Sequence, residues 1–149
     1  MNIKELKRAI MQDRFKFRYV FKKDFGGKTG ICYKMPIFDL NEVACDNFSE
    51  VIKGYTDFGY KLVSIEQCTG IKDDNEKYIY EGDIVKIYNF ATGKTSRRVV
   101  KWNMPRCGCR LYTIENFKRG IESSPQSMIN PTTIEVVGDI FSTPQLLDE

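Results

Sequence analysis

A β-rich α+β fold follows from three observations on the 149-residue sequence. Aromatic side chains make up 13% of the residues, with eight Tyr and ten Phe, a balance that suits pleated, half-buried surfaces better than a helical bundle. Residues 14–21 (RFKFRYVF) set Phe15, Phe17, Tyr19 and Phe21 against Arg14, Lys16, Arg18 and Val20, a period-two pattern with one aromatic face. Residues 83–90 read as a strand with apolar content on both faces, as in a small barrel or sandwich, and residues 133–141 as a strand with a β-branched run.

In chain order, Asn2 followed by Glu5 is a capping arrangement, and Ile3, Leu6, Ala9 and Ile10 recur at helical spacing, which predicts a helix over residues 3–12. Its other face carries Lys4, Lys7 and Arg8, a solvated face or a contact for an anionic partner. After the aromatic strand, Gly26-Gly27 predicts a hairpin with residues 29–36. A short helix after Asn47 is expected to stop at Gly54, with residues 61–67 extended beyond it. Asp73-Asp74-Asn75-Glu76 concentrates residues that bond their own backbone, so the chain reverses there, and residues 78–80 form a short strand. Gly82, between Glu81 and Asp83, permits a positive φ or a close backbone approach at the start of the strand 83–90. That strand pairs with residues 97–102 across the turn 91–94. Residues 111–114 read as a strand and 115–120 as one helical turn, while 122–131 read as a polar surface loop. The run 133–141 bends at Gly138-Asp139, and Pro144 opens a closing turn that lets Leu146 and Leu147 pack down.

Composition narrows the chemistry. There is no histidine, which removes the commonest general base at neutral pH and the usual partner of a nucleophilic Ser or Cys. Five cysteines, with no export signal in MNIKELKRAI, point to reduced thiols and a cytoplasmic location. Cys107-Gly108-Cys109 offers two thiolates but no second close pair, so neither a metal site nor a cofactor is expected. No apolar run reaches the roughly 20 residues needed to span a bilayer.

The net charge of +3 is unevenly spread. Nine Lys or Arg against three acids give +6 over residues 1–30, six against eleven give −5 over 31–90, and eight against six give +2 over 91–149. Residues 94–110 hold Lys94, Arg97, Arg98, Lys101, Arg106 and Arg110 with no acid, interleaved with Trp102. Such a stretch suits a phosphate backbone with a stacking ring, or it is the solvated side of a strand and its turns. Glu81 and Asp83, two apart, would aim both carboxylates to one face of a regular strand and permit acid/base or metal work. The plainer reading is a bend whose acids cap neighbouring amides, so no catalytic residue is assigned.

The sequence resembles the YopX-like family of phage and prophage proteins. The resemblance rests on Lys16-Phe17-Arg18, then Thr69-Gly70-Ile71-Lys72-Asp73, then Ile79 to Val85 (IYEGDIV), then Ile134 to Phe141 (IEVVGDIF) before a Pro-x-Leu-Leu ending. Two departures stand out: a tryptophan expected after the early strand core is missing, and Asn75-Glu76 stands where the family usually has Asn-Gly. The resemblance implies one domain with a small SH3-like barrel in the C-terminal half. Residues 1–13 would be a helical extension, 14–60 a strand, hairpin and helix region, and 61–149 the barrel core. It also implies a non-enzymatic accessory protein in the host cytosol that binds a host protein and inhibits or redirects a defence or nucleic-acid-processing system. The alternatives are a nucleic-acid-binding barrel using the 94–110 stretch and a small-molecule or nucleotide-binding protein using Glu81 and Asp83. Aromatic-rich β faces also suit a homo-oligomer.

Overall fold

The computed structural model describes residues 15–123, 125–128, 131 and 133–148. The helix predicted over 3–12, with Lys4, Lys7 and Arg8, lies outside the described residues, as does Arg14. The chain divides into two compact units, one ending at Gly70 and the other starting at Ile71.

The first unit is built on the aromatic strand, β1 (Lys16–Asp24). It pairs antiparallel with β2 (Ile31–Lys34), β3 (Ile37–Asp39) and β4 (Lys61–Lys72), the last of which carries Ile71 and Lys72 into the second unit. The predicted hairpin closes where Phe25 N–H donates to the Gly30 carbonyl at 3.0 Å. Phe17, Tyr19 and Phe21 share one face, against Phe38 and two helices, α1 (Leu40–Val43) and α2 (Phe48–Asp57). The Phe21 and Tyr55 rings stack at 4.3 Å, and Tyr19 meets Phe38 edge-on at 5.3 Å. Such ring pairs add about 0.5–1.5 kcal/mol each beyond their buried area. β1 is not amphipathic as its alternation suggested, because Arg18 and Val20 on the opposite face are buried too. Arg18 lies across from Glu66 on β4 and binds it through Nε at 2.7 Å and Nη2 at 2.6 Å.

One boundary differs from expectation. α2 begins after Asn47 as predicted but passes through Gly54 to Asp57, because Phe48, Ile52 and Tyr55 form a stripe that packs on the aromatic core. That packing outweighs the roughly 0.5–1 kcal/mol a mid-helix glycine costs. The helix is capped at Phe58, and the glycine after the cap is Gly59, in the left-handed region at φ 82°.

The second unit is an antiparallel sheet in the order β10-β6-β7-β8-β9: β10 (Thr133–Asp139), β6 (Asp83–Asn89), β7 (Lys94–Asn103), β8 (Gly108–Thr113) and β9 (Gln126–Ser127). β6 and β7 form the predicted hairpin, with Asn89 opposite Lys94. Its core holds Ile79 of β5 (Tyr78–Tyr80) with Val85, Ile87, Val100, Leu111, Met128 and Ile134. Residues 122–131 are not simply a surface loop: β9 pairs with β8, and Met128 is buried in this core. After β8 the chain makes a short helix, α3 (Ile114–Lys118), whose Asn116 N–H is capped by the Thr113 hydroxyl at 3.1 Å.

Three ties hold the second unit's ends. The Asp73 carboxylate accepts N–H bonds from Asn75, Lys77 and Val136, each at 2.9 Å. Asp74 exchanges two further bonds with Ile134 of β10, so the turn both closes itself and lines the edge of β10. Gly82, at φ 80°, donates to the Val100 carbonyl at 2.8 Å and accepts from Ile140 N–H at 3.0 Å, as the predicted bend requires. The predicted kink in β10 is a register shift between Val136 and Gly138. A Cβ on Gly138 would lie 2.0 Å from Thr143 Oγ1 and 2.7 Å from Leu146 Cδ1, so the closing 3-10 turn (Pro144–Leu147) packs where no side chain fits.

Two stability predictions follow from the turn. Burial pushes the Asp73 carboxyl up, but its three amide donors outweigh burial and hold it below the ordinary carboxylate value. A depressed pKa stabilises above the unfolded value of about 4, and that stabilisation is lost as pH falls through the folded value. Asp73→Asn should therefore cost about 2 kcal/mol in urea unfolding at pH 7, with the gap from the parent narrowing below about pH 4. Glu76 occupies the left-handed region at φ 63°, the position where a family-typical glycine would sit without strain. Glu76→Gly should raise stability by about 0.5–1 kcal/mol despite losing an exposed ion pair to Lys72, and a decrease in the urea midpoint would refute the strain argument.

Candidate binding surfaces

The basic stretch is distributed over β7, the turn after it and β8, and residues opposite one another on neighbouring strands share a face. Arg97 lies across from Lys86, and Lys101 from Arg110. Arg98, across from Val85 and Thr113, and Trp102, across from Cys109, belong to the other face. Lys94 sits exposed at the hairpin end, and Arg106 is exposed in a 3-10 turn between β7 and β8 (Met104–Arg106). The cations predicted as one interface are thus divided between two faces.

Their charges are also unequally available. Lys101 is ion-paired with Glu122 and lies 5.5 Å from the Tyr112 ring centroid. Arg110 donates to the Cys109 carbonyl at 2.8 Å. Trp102 is partly exposed, its indole nitrogen 3.2 Å from Met104 Sδ. Arg98 donates from Nη1 to the Arg97 carbonyl at 2.9 Å, and burial draws its guanidinium below the ordinary arginine value.

A hollow of about 450 Å³ lies where the β7–β8 register ends at Arg98 and Thr113 and the chain turns into α3. Arg97, Arg98 and Lys86 line it with the hydroxyl-bearing Thr95, Ser96 and Thr113, against one acid, Glu115. Lys86 and Thr113 were not singled out from the sequence. The predicted 91–94 turn nevertheless fixes a register that puts Lys86 beside Arg97.

A second cluster was missed outright. Buried Asn103 donates to the Tyr112 hydroxyl at 2.6 Å and accepts from Arg106 N–H at 3.0 Å, while Tyr112 donates to Glu122 at 2.8 Å. The Lys101 ammonium, then the Tyr112 hydroxyl, hold the Glu122 carboxyl below its ordinary value, and burial pushes the Tyr112 phenol up. These groups span 19 residues of sequence, and their arrangement ties the 122 segment to the sheet.

The candidate carboxylate pair does not form a regular-strand site, because Gly82 turns the chain between its members. The Asp83 carboxylate is buried and accepts the Tyr80 N–H at 2.8 Å. Cys107 is exposed in a left-handed conformation, whereas Cys109 packs against the core. Among the described residues, no group of three or more Cys, Asp or Glu side chains is placed to hold a metal ion, and no helix is long and apolar enough to cross a membrane.

The first unit presents a different surface. Among the described residues, nine of the twelve exposed large apolar side chains belong to it, including Ile31, Ile37, Phe58 and the run Leu62, Val63 and Ile65 on β4.

Asn103→Ala should cost about 2 kcal/mol in thermal or urea unfolding, since it removes a partner of the buried Tyr112 hydroxyl and the side-chain cap on Arg106 N–H. Arg106→Ala, on an exposed turn, should stay within about 0.5 kcal/mol of the parent. Equal losses would show that the network contributes nothing beyond the turn.

A search of curated proteins finds no match to this chain. The family model described as YopX protein matches residues 16–148, nearly the whole chain, and the protein belongs to that family.

Proposed function

We propose that the protein is a non-enzymatic accessory protein of phage or prophage type, acting in the host cytosol by binding a host protein and blocking or redirecting its work. The reading is carried by the exposed apolar side chains Leu62, Val63 and Ile65 of β4, of which Leu62 and Ile65 lie across from Phe21 and Tyr19 and share a face; Ile31 and Ile37, across from Asp24 and Arg18, belong to the other face. Scattered single apolar residues are ordinary on a protein surface, but a strand carrying three within four positions supports an interaction site there. Family membership supports a phage-type role. The five-stranded sheet of the second unit is, in the same reading, a small SH3-like barrel serving as scaffold.

The test is affinity capture from host lysate with the full chain, which should retain one component stoichiometrically. Leu62→Asp with Ile65→Asp, confirmed folded by circular dichroism, should lose that component, with affinity reduced about a hundredfold or more. Capture unaffected by the double variant would remove β4 as the interface, and failure to retain any host protein would remove the reading.

A further inference from the structure

The hollow beside α3 has features that a solvated sheet face does not need. It gathers three cations, Lys86, Arg97 and Arg98, around a volume of about 450 Å³, with Glu115 the one acid in its lining. The acids near it are already engaged: Glu115 binds Arg119 at 3.1 Å, and Glu135 binds Lys86 at 2.6 Å. Arg98 differs from Lys86. Among the described residues no carboxylate pairs with it, and its Nη1 donates to a backbone carbonyl while the side chain is half-buried. A guanidinium withdrawn from water without a countercharge is destabilised, and an anion arriving beside it recovers that energy.

The donor set indicates which anion. Guanidinium groups present planar forks of N–H donors that match the oxygens of phosphate. The Thr95, Ser96 and Thr113 hydroxyls, which line the same hollow, supply single donors around them. Arg97 enters from the face it shares with Lys86, and Arg98 from beside Thr113, so the two guanidinium groups approach from different sides. The space exceeds that of a bare phosphate and falls within the range of roughly 300–1,000 Å³ typical of small-molecule sites.

We propose that this hollow binds a phosphate-bearing small molecule of nucleotide size, with Arg97 and Arg98 holding the phosphate and Thr95 and Thr113 fixing its orientation. The site is independent of the apolar surface on the first unit, so the protein would carry a ligand site on one unit and a partner surface on the other.

The experiment is titration calorimetry of the full chain with ADP, inorganic phosphate and a single-stranded oligonucleotide, at about 50 mM salt to limit screening. ADP should bind more tightly than phosphate. Arg97→Gln with Arg98→Gln should weaken ADP about tenfold or more, while Arg106→Gln, outside the hollow, should leave it unchanged. Should the double variant fail to fold, Thr95→Asp tests the same point from an exposed position, and its added carboxylate should weaken ADP comparably. The proposal fails if ADP gives no heat, if phosphate binds as tightly as ADP, if the variants bind ADP like the parent, or if the oligonucleotide alone binds.

Discussion

The Asp73 carboxylate is the constraint on which the second unit depends. One side chain shapes the turn that feeds β5, through Asn75 and Lys77, and with its other oxygen reaches 63 residues along the chain to the Val136 amide. β10 is the last strand of the sheet, and its two ladders have different chemistry: β6 supplies backbone partners on one side, and an acidic turn supplies carboxylates on the other. Charge-assisted bonds of this kind are about twice as strong as neutral ones, so a short turn can do the work of another strand. They also leave the edge blocked by charge, which disfavours pairing with a further chain.

The motifs behind the family resemblance acquire a common meaning from this tie. Asp73 of TGIKD reaches Val136 of IEVVGDIF, and Gly82 of IYEGDIV accepts from Ile140 of the same terminal segment. Asp83 and Asp139 lie opposite each other in the β6–β10 register, each committed to backbone amides: Asp83 to Tyr80, Asp139 to Phe141 and Ser142. Segments separated in sequence are tied together here, by a side-chain carboxylate on a backbone amide at Asp73 and by a backbone bond at Gly82. Acids in such positions look catalytic in a linear reading, yet their lone pairs are already occupied.

Local chemistry was the legible part of the fold. The turn at 73–76, the strand 78–80, the Gly82 bend, the 83–102 hairpin and the Gly138 bulge are all specified by neighbours within a few residues, through Asx bonding, φ > 0 or alternation. What escaped depends on distant partners. Arg18 looks like the solvated side of an aromatic strand until Glu66 is brought across from it, and residues 122–131 look like a loop because nothing local shows that Glu122 joins Tyr112 or that Met128 enters the core. Gly54 was misread for the opposite reason: a local helix-stop signal was overridden by Phe48, Ile52 and Tyr55 on a face only the folded sheet creates. For the candidate site, the cations were visible as a stretch, but their partition between two faces required the strand register.

A division of labour between scaffold and recognition follows from where polar atoms are already spent. In the motif segments, Asp73, Gly82, Asp83 and Asp139 give their hydrogen-bonding capacity to the backbone, and substituting any of them would act on folding first. Arg98, Thr95 and Thr113 border a hollow, and Leu62, Val63 and Ile65 are open to solvent, so changes there leave the ties of the second unit intact. Recognition placed on such residues can vary without disturbing the carboxylate and glycine bonds that build the sheet. That separation is why a single scaffold of this kind can be identified from its turns, while the ligand proposed for it is argued from side chains that lie between them.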